Sequence, residues 1–264
     1  MTEQLAITVD IDDRGVATVT LNRPHIHNAF DDTVIDELIK AFESIHQDNN
    51  VRVMVLAANG KSFCAGADLK WMKQMASYSY DQNKQDASQL AKLFSSLYNL
   101  NKPTIAKVQG AVYGGGVGLV ACCDIAIGSK LSKFCLSEVK LGLVPATISP
   151  YVIEAIGLRL AKRYFMTAEV MSSRRARRIG LLSEAVSEEE LDSSVENIIL
   201  PLLNNGPKSV ATAKNLVNKI SRRAIDDQLI DETSDLIASV RVSQEGQEGL
   251  TAFLEKRTPN WKKA

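Results

Sequence analysis

Residues 62–69 of the chain have the sequence Ser-Phe-Cys-Ala-Gly-Ala-Asp-Leu, and residues 110–118 have the glycine-rich sequence Gly-Ala-Val-Tyr-Gly-Gly-Gly-Val-Gly. Each stretch lies where a predicted strand gives way to a helix. Glycines at the start of an apolar helix let a ligand approach the backbone, and the free N–H groups there carry partial positive charge. The two loops predict a site in which backbone amides stabilise an oxyanion. The alternative is that the glycines only allow close helix–strand packing.

The glycine run at residues 114–116 does not match a nucleotide-phosphate loop. A Walker A motif needs Lys-Ser/Thr after its last glycine, whereas Val117 follows this run. A dinucleotide-binding fingerprint also fails, because Leu119 stands where the third glycine is required. We therefore expect no nucleotide cofactor held by this loop.

Working outward from the loops, strand and helix patterns alternate along the chain, and the turn at residues 12–15 predicts a hairpin. Asp31 is a suitable N-cap for a helix whose apolar residues recur at helical spacing up to Ile45. The predicted strands cover residues 5–11, 16–21, 52–57, 104–109, 124–128 and 134–137, with a short apolar helix at 115–123. This alternation predicts an α/β domain with much parallel or mixed pairing.

Beyond Pro201 the pattern becomes entirely helical, with amphipathic segments at residues 208–221, 226–240 and 247–256. Three helices bury little surface by themselves. We predict a core domain at residues 1–200 and a helical unit at 201–264 that docks on the core or on a neighbouring subunit.

Composition excludes several classes of protein. The 31 Lys and Arg residues balance 31 Asp and Glu residues, so the net charge is zero, which argues against a protein that works mainly by binding nucleic acid or an acidic membrane. The four cysteines form no CxxC pair and show no zinc-type spacing, so we expect small buried thiols in a reducing compartment and no metal site. The first ten residues lack the features of a secretory signal, and we expect a cytoplasmic protein.

The two loops, together with Leu21-Asn22-Arg23-Pro24, resemble the enoyl-CoA hydratase/isomerase (crotonase) superfamily over essentially the whole chain. The resemblance implies a crotonase-type spiral of ββα units followed by a C-terminal helical oligomerisation segment. It also implies an acyl-CoA thioester as substrate, no separate cofactor, no membrane partner, and assembly into a homotrimer or a dimer of trimers.

The resemblance further implies which residues act at the reacting centre. The amides of Ala67 and Gly115, the latter beside Gly114, would form the oxyanion hole. Hydratases of the family usually carry two glutamates, but the first position here is Gly118 and only the second, Glu138, is acidic. Glu138 would therefore handle the protons alone.

Chemistry supports a catalytic role for Glu138 if its pKa is raised by an apolar pocket. We expect the neighbouring residues Val139, Leu141, Leu143 and Val144 to form that pocket. The alternative is that Glu138 is a solvated loop residue.

A single glutamate also suits the double-bond isomerases of the family, which are the principal alternative. The block Gly142-Leu143-Val144-Pro145-Ala146-Thr147-Ile148-Ser149-Pro150-Tyr151-Val152 replaces the usual glycine run. Together with Gly116-Val117-Gly118-Leu119 and the small residues Ala121-Cys122-Cys123, it is similar to bacterial methylglutaconyl-CoA hydratases of leucine degradation. On this interpretation the chain hydrates 3-methylglutaconyl-CoA, and Gly118 leaves room for a branched or carboxylated acyl group.

For CoA itself, the resemblance implies a strip of binding residues on two segments and a contribution from the last helix, often from another subunit. The strip consists of His27, Asn28, Ala29, Ala65 and Asp68, and the helix contributes Phe253 and Lys256. Cations on a helix are more commonly solvated, which is the alternative for Lys256.

Two functions of other classes stay open. The cluster Arg174, Arg175, Arg177 and Arg178 is the densest basic group and makes RNA binding a hypothesis, since a family member binds AU-rich RNA. No aromatic residues are interleaved with it, so it lacks a stacking surface, and an exposed helix face explains it equally well. The remaining alternative is a catalytically silent scaffold.

Overall fold

A computed structural model describes residues 5–262 and shows mixed α/β architecture. The strands are β1 (Ile7–Ile11), β2 (Val16–Leu21), β3 (Val53–Ala58), β4 (Thr104–Val108), β5 (Ala111–Tyr113), β6 (Ile125–Ser129), β7 (Lys133–Cys135), β8 (Met171–Ser172) and β9 (Glu184–Val186). The helices are α1 (Asp32–Gln47), α2 (Leu69–Met75), α3 (Tyr80–Tyr98), α4 (Gly115–Cys122), α5 (Ser149–Ile156), α6 (Leu158–Thr167), α7 (Ser173–Arg178), α8 (Leu191–Asn204), α9 (Pro207–Ile220), α10 (Asp227–Val242) and α11 (Gln244–Leu254).

The larger sheet has six strands in the order β1-β2-β3-β4-β6-β9. The predicted hairpin is present, with β1 antiparallel to β2, and every other pair in this sheet is parallel. A smaller sheet, β5-β7-β8, lies beside it, with β5 parallel to β7. The parallel pairing that the alternating pattern predicts is therefore observed.

Helix α1 shows how the local sequence builds the layer on one face of the large sheet. The side chain of Asp31 accepts a hydrogen bond from the Val34 amide at 3.0 Å, which caps the helix as predicted. The buried face of α1 comprises Val34, Ile35, Leu38, Ile39, Phe42 and Ile45. This face belongs to the main hydrophobic cluster, which also includes residues of α3, α4 and α5.

Helix α8 supplies apolar residues to a second cluster. Leu191, Val195 and Ile199 pack with residues of the central strands, including Val53 and Ile105. The two clusters bury the central strands on both sides, which explains their nearly unbroken apolar sequences.

The C-terminal helices α9–α11 begin just after α8. The predicted boundary after residue 200 falls inside α8, and the division into two domains stays a prediction. Lys214 on α9 ties this region to the core, since its Nζ lies 2.8 Å from Asp124 Oδ2 and donates to the Lys102 carbonyl at 3.1 Å. Between residues 5 and 262, no helix combines the length and apolar character needed to cross a membrane.

Candidate active site

The first glycine loop is joined to β5 by a single parallel bridge between Cys64 and Val112. The amide of Cys64 donates to the Ala111 carbonyl at 3.1 Å, and the amide of Tyr113 donates to the Cys64 carbonyl at 2.8 Å. This pairing brings the two loops together at their ends, so that a Cβ built on Gly114 would lie 3.9 Å from Gly66 Cα. Gly66 and Gly114 directly precede the two residues predicted to form the oxyanion hole.

Both predicted amides are available as donors. A short bridge pairs Phe30 with the first loop. The Phe30 amide donates to the Gly66 carbonyl at 2.8 Å, and the Asp68 amide donates to the Phe30 carbonyl at 2.7 Å, so the Ala67 amide is not used. Gly115 is the first residue of α4, where an N–H has no acceptor within the helix. Within residues 5–262 neither amide donates a hydrogen bond. The local structure therefore leaves two neighbouring N–H groups for a ligand.

A third loop brings Glu138 to the same place. The Gly114 amide donates to the Cys135 carbonyl at the end of β7 at 2.9 Å, and a 3-10 helix begins three residues later at Glu138. A Cβ on Gly114 would lie 3.3 Å from Glu138 Oε1. Glu138 Oε2 is buried and has no hydrogen-bond partner within the described part of the chain.

Burial raises the pKa of Glu138 above its ordinary value of 4.5. The expected source of that burial is wrong, however. Leu141, Leu143 and Val144 are exposed, and Val139 is half-buried. The carboxyl group lies instead against the glycine loops, where a glycine at position 114 lets it approach the backbone.

The interpretation of Gly118 also needs correction. A Cβ at this position would lie 2.2 Å from Ile148 Cγ2 and 2.9 Å from Phe94 Cε1. The volume that a side chain would fill is occupied by these two residues, so Gly118 leaves no room for an acyl group. The glycine is required because Ile148 packs directly on the backbone of α4.

The residues of the predicted CoA strip lie on two segments that hydrogen bonds join to each other. The exposed His27 ring lies 3.1 Å from Ser62 Oγ through Nδ1, and its φ of 56° is left-handed. Asn28 is buried and donates to the Asn59 and Ser62 carbonyls at 2.9 and 2.8 Å. Asn28 therefore ties two loops together, while His27 presents its ring at the surface. Ala29 is buried next to it.

The other half of the strip is held by backbone bonds. The Ala65 amide donates to the His27 carbonyl at 3.0 Å. The Asp68 side chain caps α2 by accepting from Lys70 and Trp71 amides. These contacts fix the loop, and Ala65 is only half-buried.

Phe253 lies on α11 and Lys256 two residues beyond its end. Phe253 is 82% exposed on α11, and Lys256 is also exposed. Within residues 5–262, neither side chain forms a hydrogen bond or ion pair with the glycine loops. Helix α11 packs on α9 and α10.

The arginine cluster lies on the short helix α7. Arg174, Arg177 and Arg178 are exposed and line a surface cavity with Lys130, whereas Arg175 Nε donates to the Tyr164 hydroxyl at 2.8 Å. The nearby Glu169 pairs with Arg163.

Phe30 and Phe94 are buried and pack directly against Gly115, and the sequence analysis does not single them out. A Cβ on Gly115 would lie 2.6 Å from Phe30 Cε2 and 3.6 Å from Phe94 Cζ. Ile148 was included only as part of the block that replaces the usual glycine run, and that departure was the available signal. Nothing in the local pattern indicates the two phenylalanines, since their contacts are long-range.

The cysteines are free; Cys64, Cys122 and Cys135 are buried, and Cys123 is half-buried. Burial raises the pKa of the Cys64 and Cys123 thiols to about 12. Among the residues that the structure describes, no group of three or more His, Cys, Asp or Glu side chains is placed to hold a metal ion.

Two converging glycine loops beside one half-buried acid form a site of the class that stabilises an oxyanion, and comparisons with known proteins identify the family. A protein-family model described as Enoyl-CoA hydratase/isomerase matches residues 12–264 of the chain. The chain belongs to the enoyl-CoA hydratase/isomerase family, as the resemblance predicts.

Individual relatives agree in sequence and in fold. Crotonyl-CoA hydratase of Syntrophomonas wolfei is 32% identical over 93% of this chain and 94% of the relative. An enoyl-CoA hydratase structure from Shewanella pealeana has a TM-score of 0.94 and 44% identity, covering 97% of this chain and 96% of that chain. A structure from Legionella pneumophila also has a TM-score of 0.94, with 46% identity over 98% of this chain and 100% of that chain. The predicted crotonase-type fold is confirmed.

Proposed function

We propose that this protein is a hydratase that adds water across the α,β-double bond of an enoyl-CoA thioester, with Glu138 as its single catalytic acid and base. The observation that supports the proposal is the unpartnered Glu138 Oε2, buried beside two unused backbone amides. A buried carboxylate oxygen without a partner is uncommon in native structures, and catalytic sites are one place where it occurs.

In the proposed mechanism, the thioester carbonyl oxygen accepts hydrogen bonds from the amides of Ala67 and Gly115. The Glu138 carboxylate takes a proton from water while the water oxygen bonds to the β-carbon, and the electron pair of the double bond moves onto the carbonyl oxygen. The enolate that forms is stabilised by the two amides. Glu138, now protonated, delivers its proton to the α-carbon and returns to the carboxylate form.

For the acyl group we propose 3-methylglutaconyl, as in leucine degradation. The similarity of residues 142–152 to methylglutaconyl-CoA hydratases supports it. One relative is named for a substrate whose acyl group ends in a carboxylate. This protein, 2,3-dehydroadipyl-CoA hydratase of Escherichia coli, is 29% identical over 94% of this chain. We further propose that the active protein is a homotrimer or a dimer of trimers in which Phe253 and Lys256 of one copy reach the CoA site of another.

A panel of enoyl-CoA thioesters that includes 3-methylglutaconyl-CoA tests the reaction. Hydration removes the absorbance of the conjugated thioester, so the wild type is expected to bleach it. We expect Glu138→Gln to lower kcat by about 10²- to 10⁴-fold, since it removes the acid and base. Glu154→Gln is the control, because Glu154 hydrogen-bonds to Tyr98 at 2.7 Å and takes no part in the mechanism. A wild type that bleaches none of the panel, or a Glu138→Gln variant with full activity, contradicts the proposal and favours the silent scaffold.

The isomerase alternative is tested by adding a β,γ-unsaturated thioester to the same panel. An isomerase moves the double bond into conjugation and creates absorbance without adding water. Absorbance that rises with this substrate, together with no bleaching of the α,β-unsaturated thioesters, would assign the protein to the isomerases.

A further inference from the structure

Two helices that begin beside the first loop have N-caps that share one cation. Asp31 caps α1 through Oδ1, which accepts a hydrogen bond from the Val34 amide at 3.0 Å, and Asp68 caps α2 through Oδ1, which accepts from the Lys70 amide at 2.7 Å. The second oxygen of each carboxylate faces Arg23. The Arg23 Nη1 pairs with Asp31 Oδ2, and Nη2 lies 4.0 Å from Asp68 Oδ2. Arg23 therefore connects the starts of the two helices.

The guanidinium of Arg23 is held in a fixed and partly shielded place. The Arg23 amide donates to Asn28 Oδ1 at 2.8 Å, and its carbonyl accepts from the Asn28 amide at 3.0 Å. The side chains of Arg23, Asp31 and Asp68 are 20, 19 and 13% exposed, so solvent screens their charges less than those of a surface pair. Within residues 5–262, no other basic side chain forms an ion pair with either carboxylate.

The two carboxylates lie next to the bridge that joins Phe30 to Ala67. Asp31 directly follows Phe30 in the chain, and Asp68 directly follows Ala67. The bridge itself consists of the hydrogen bond from the Phe30 amide to the Gly66 carbonyl at 2.8 Å and the one from the Asp68 amide to the Phe30 carbonyl at 2.7 Å. A cation that holds both carboxylates therefore also holds the two segments of the bridge against each other.

Phe30 also contacts the second loop of the site. A Cβ on Gly115 would lie 2.6 Å from Phe30 Cε2, so the ring packs directly on the backbone that carries the second predicted oxyanion-hole amide. Phe30 is buried in the main cluster, where close packing leaves its ring little freedom to move. The backbone of Phe30 thus borders Ala67 and its ring borders Gly115. The separation of the two amides depends on the position of Phe30, and Arg23 holds the residue that follows it.

We propose that Arg23 is a positioning residue for the oxyanion hole. By pairing with Asp31 and Asp68, it keeps the Ala67 amide at the separation from the Gly115 amide that lets both donate to one enolate oxygen. The assignment rests on the proposed hydratase function and adds a residue that acts through the loop without touching the substrate. Because oxyanion-hole donors act on charge that develops in the transition state, a displaced donor lowers kcat more than it weakens substrate binding.

The first test compares Arg23→Gln with Arg14→Gln. Arg14 also pairs with two carboxylates, those of Asp12 and Glu196, but it precedes β2 whereas Arg23 follows it. Both variants are expected to lower Tm, since each leaves carboxylates without their cation. We expect only Arg23→Gln to lower kcat, by about 10- to 10²-fold with little change in KM, because a displacement of about 1 Å at a reacting centre costs up to about 10²-fold. An Arg23→Gln variant with the kcat of the wild type overturns the assignment.

The second test uses conservative variants of the same ion pairs. Asp31→Asn keeps an oxygen that can cap α1 but removes the charge that Arg23 holds, so kcat should fall with a smaller loss in Tm than in Arg23→Gln. Arg23→Lys keeps a cation without the two separate nitrogens, and its kcat should lie between those of Arg23→Gln and the wild type. Full kcat in Asp31→Asn, or a lysine variant no more active than Arg23→Gln, contradicts a role for the ion pairs.

Hydrogen exchange tests the positioning without any substrate. The Phe30 and Asp68 amides donate within the bridge, and we expect both to exchange faster in Arg23→Gln than in the wild type and to be unchanged in Arg14→Gln. Unchanged exchange in Arg23→Gln overturns the assignment while leaving the hydratase function intact. A wild type that hydrates no thioester of the panel overturns the proposed function, whereas the exchange rates still report whether Arg23 holds the bridge. The two failures are therefore distinguishable.

Discussion

The α/β core and the three C-terminal helices differ in how much of their apolar surface the chain itself covers. Helix α1 buries six residues, whereas α9 buries none, α10 buries only Leu229 and α11 only Ala252. Large apolar side chains on the C-terminal helices and their connection are exposed instead: Val217, Ile225, Ile230, Ile237, Val242, Leu250, Phe253 and Leu254.

This difference in apolar burial indicates that the core and the C-terminal helices meet different structural requirements. The core needs internal packing to hold the three loops of the site in place. Contiguous exposed apolar surface is typical of interaction sites, which is consistent with the proposal that another copy covers the C-terminal helices. Variants in the two regions should therefore separate folding from assembly.

The largest effect on stability is expected for Gly110→Ala, which places a methyl group in the core where the first loop meets β5. Gly110 has a φ of 62°, and an added Cβ would lie 1.8 Å from the Lys61 carbonyl oxygen. We expect the free energy of unfolding to fall by about 4 kcal/mol or more, or the variant not to fold at all. Gly142→Ala is the control, since Gly142 has a φ of 72° but nothing within 4 Å of its Cβ, and should cost only about 1–2 kcal/mol. Denaturant unfolding measures both, and equal losses would contradict the steric argument.

A smaller effect is expected for Lys214→Met, which removes one of the contacts between the two regions. The Lys214 side chain is 9% exposed, and its loss leaves the Asp124 carboxylate, among the residues that the structure describes, with its two hydrogen bonds from Thr104. We expect the free energy of unfolding to fall by about 1–3 kcal/mol, less than for a fully buried pair because Asp124 is partly exposed. Lys219→Met, at the exposed pair with Glu232, should lower the free energy of unfolding by less than Lys214→Met does. Similar losses at both sites would show that α9 does not depend on this contact.

The pH dependence of Glu138 gives a third measurement in the core. Because burial raises the pKa of Glu138 above 4.5, the folded state holds this proton more tightly than the unfolded state. The contribution of Glu138 to stability is therefore present below pH 4.5 and is lost as the pH rises through the folded pKa. Glu138→Gln does not titrate, so its stability relative to wild type should increase over that interval. Parallel Tm curves for the two proteins between pH 4 and 8 would contradict the buried position.

The smallest effect on folding is expected for Phe253→Ser on α11. Since Phe253 is 82% exposed, unfolding of the single chain should change by no more than about 0.5 kcal/mol. If another copy covers α11, the variant should shift the sedimentation profile toward smaller species and raise the KM for the thioester. Leu131 is an exposed apolar residue on the surface of the α/β core, and Leu131→Ser should leave the sedimentation profile and the KM unchanged. Identical profiles for wild type and Phe253→Ser would contradict the assembly proposal.

Local signals predicted the elements whose apolar residues keep a regular spacing. Helix α1 begins after the predicted cap Asp31, and β2 has the predicted bounds. Helix α11 begins at Gln244, earlier than the predicted residue 247, because Ser243 caps it through the Gly246 amide at 3.0 Å. Caps of this kind depend on one side chain and are easily missed in a polar segment.

Helix α3 shows where local patterns are insufficient. It was not predicted, since only Leu93, Phe94 and Leu97 of its 19 residues are buried and the rest of the sequence is largely polar. Its start is fixed by a capping box between Ser79 and Gln82. This unpredicted helix supplies Phe94, one of the two residues that pack against Gly118.

The amino-acid sequence by itself determined the two glycine loops, the acid at position 138 and the family, because each depends on residue type and spacing along the chain. Only the tertiary structure decided what surrounds them. Glu138 is buried by the glycine loops and not by its own apolar neighbours, and Ile148 fills the space at Gly118 that the sequence suggested was open. Burial and steric fit arise from contacts between distant segments, and a pattern read along one segment does not contain them.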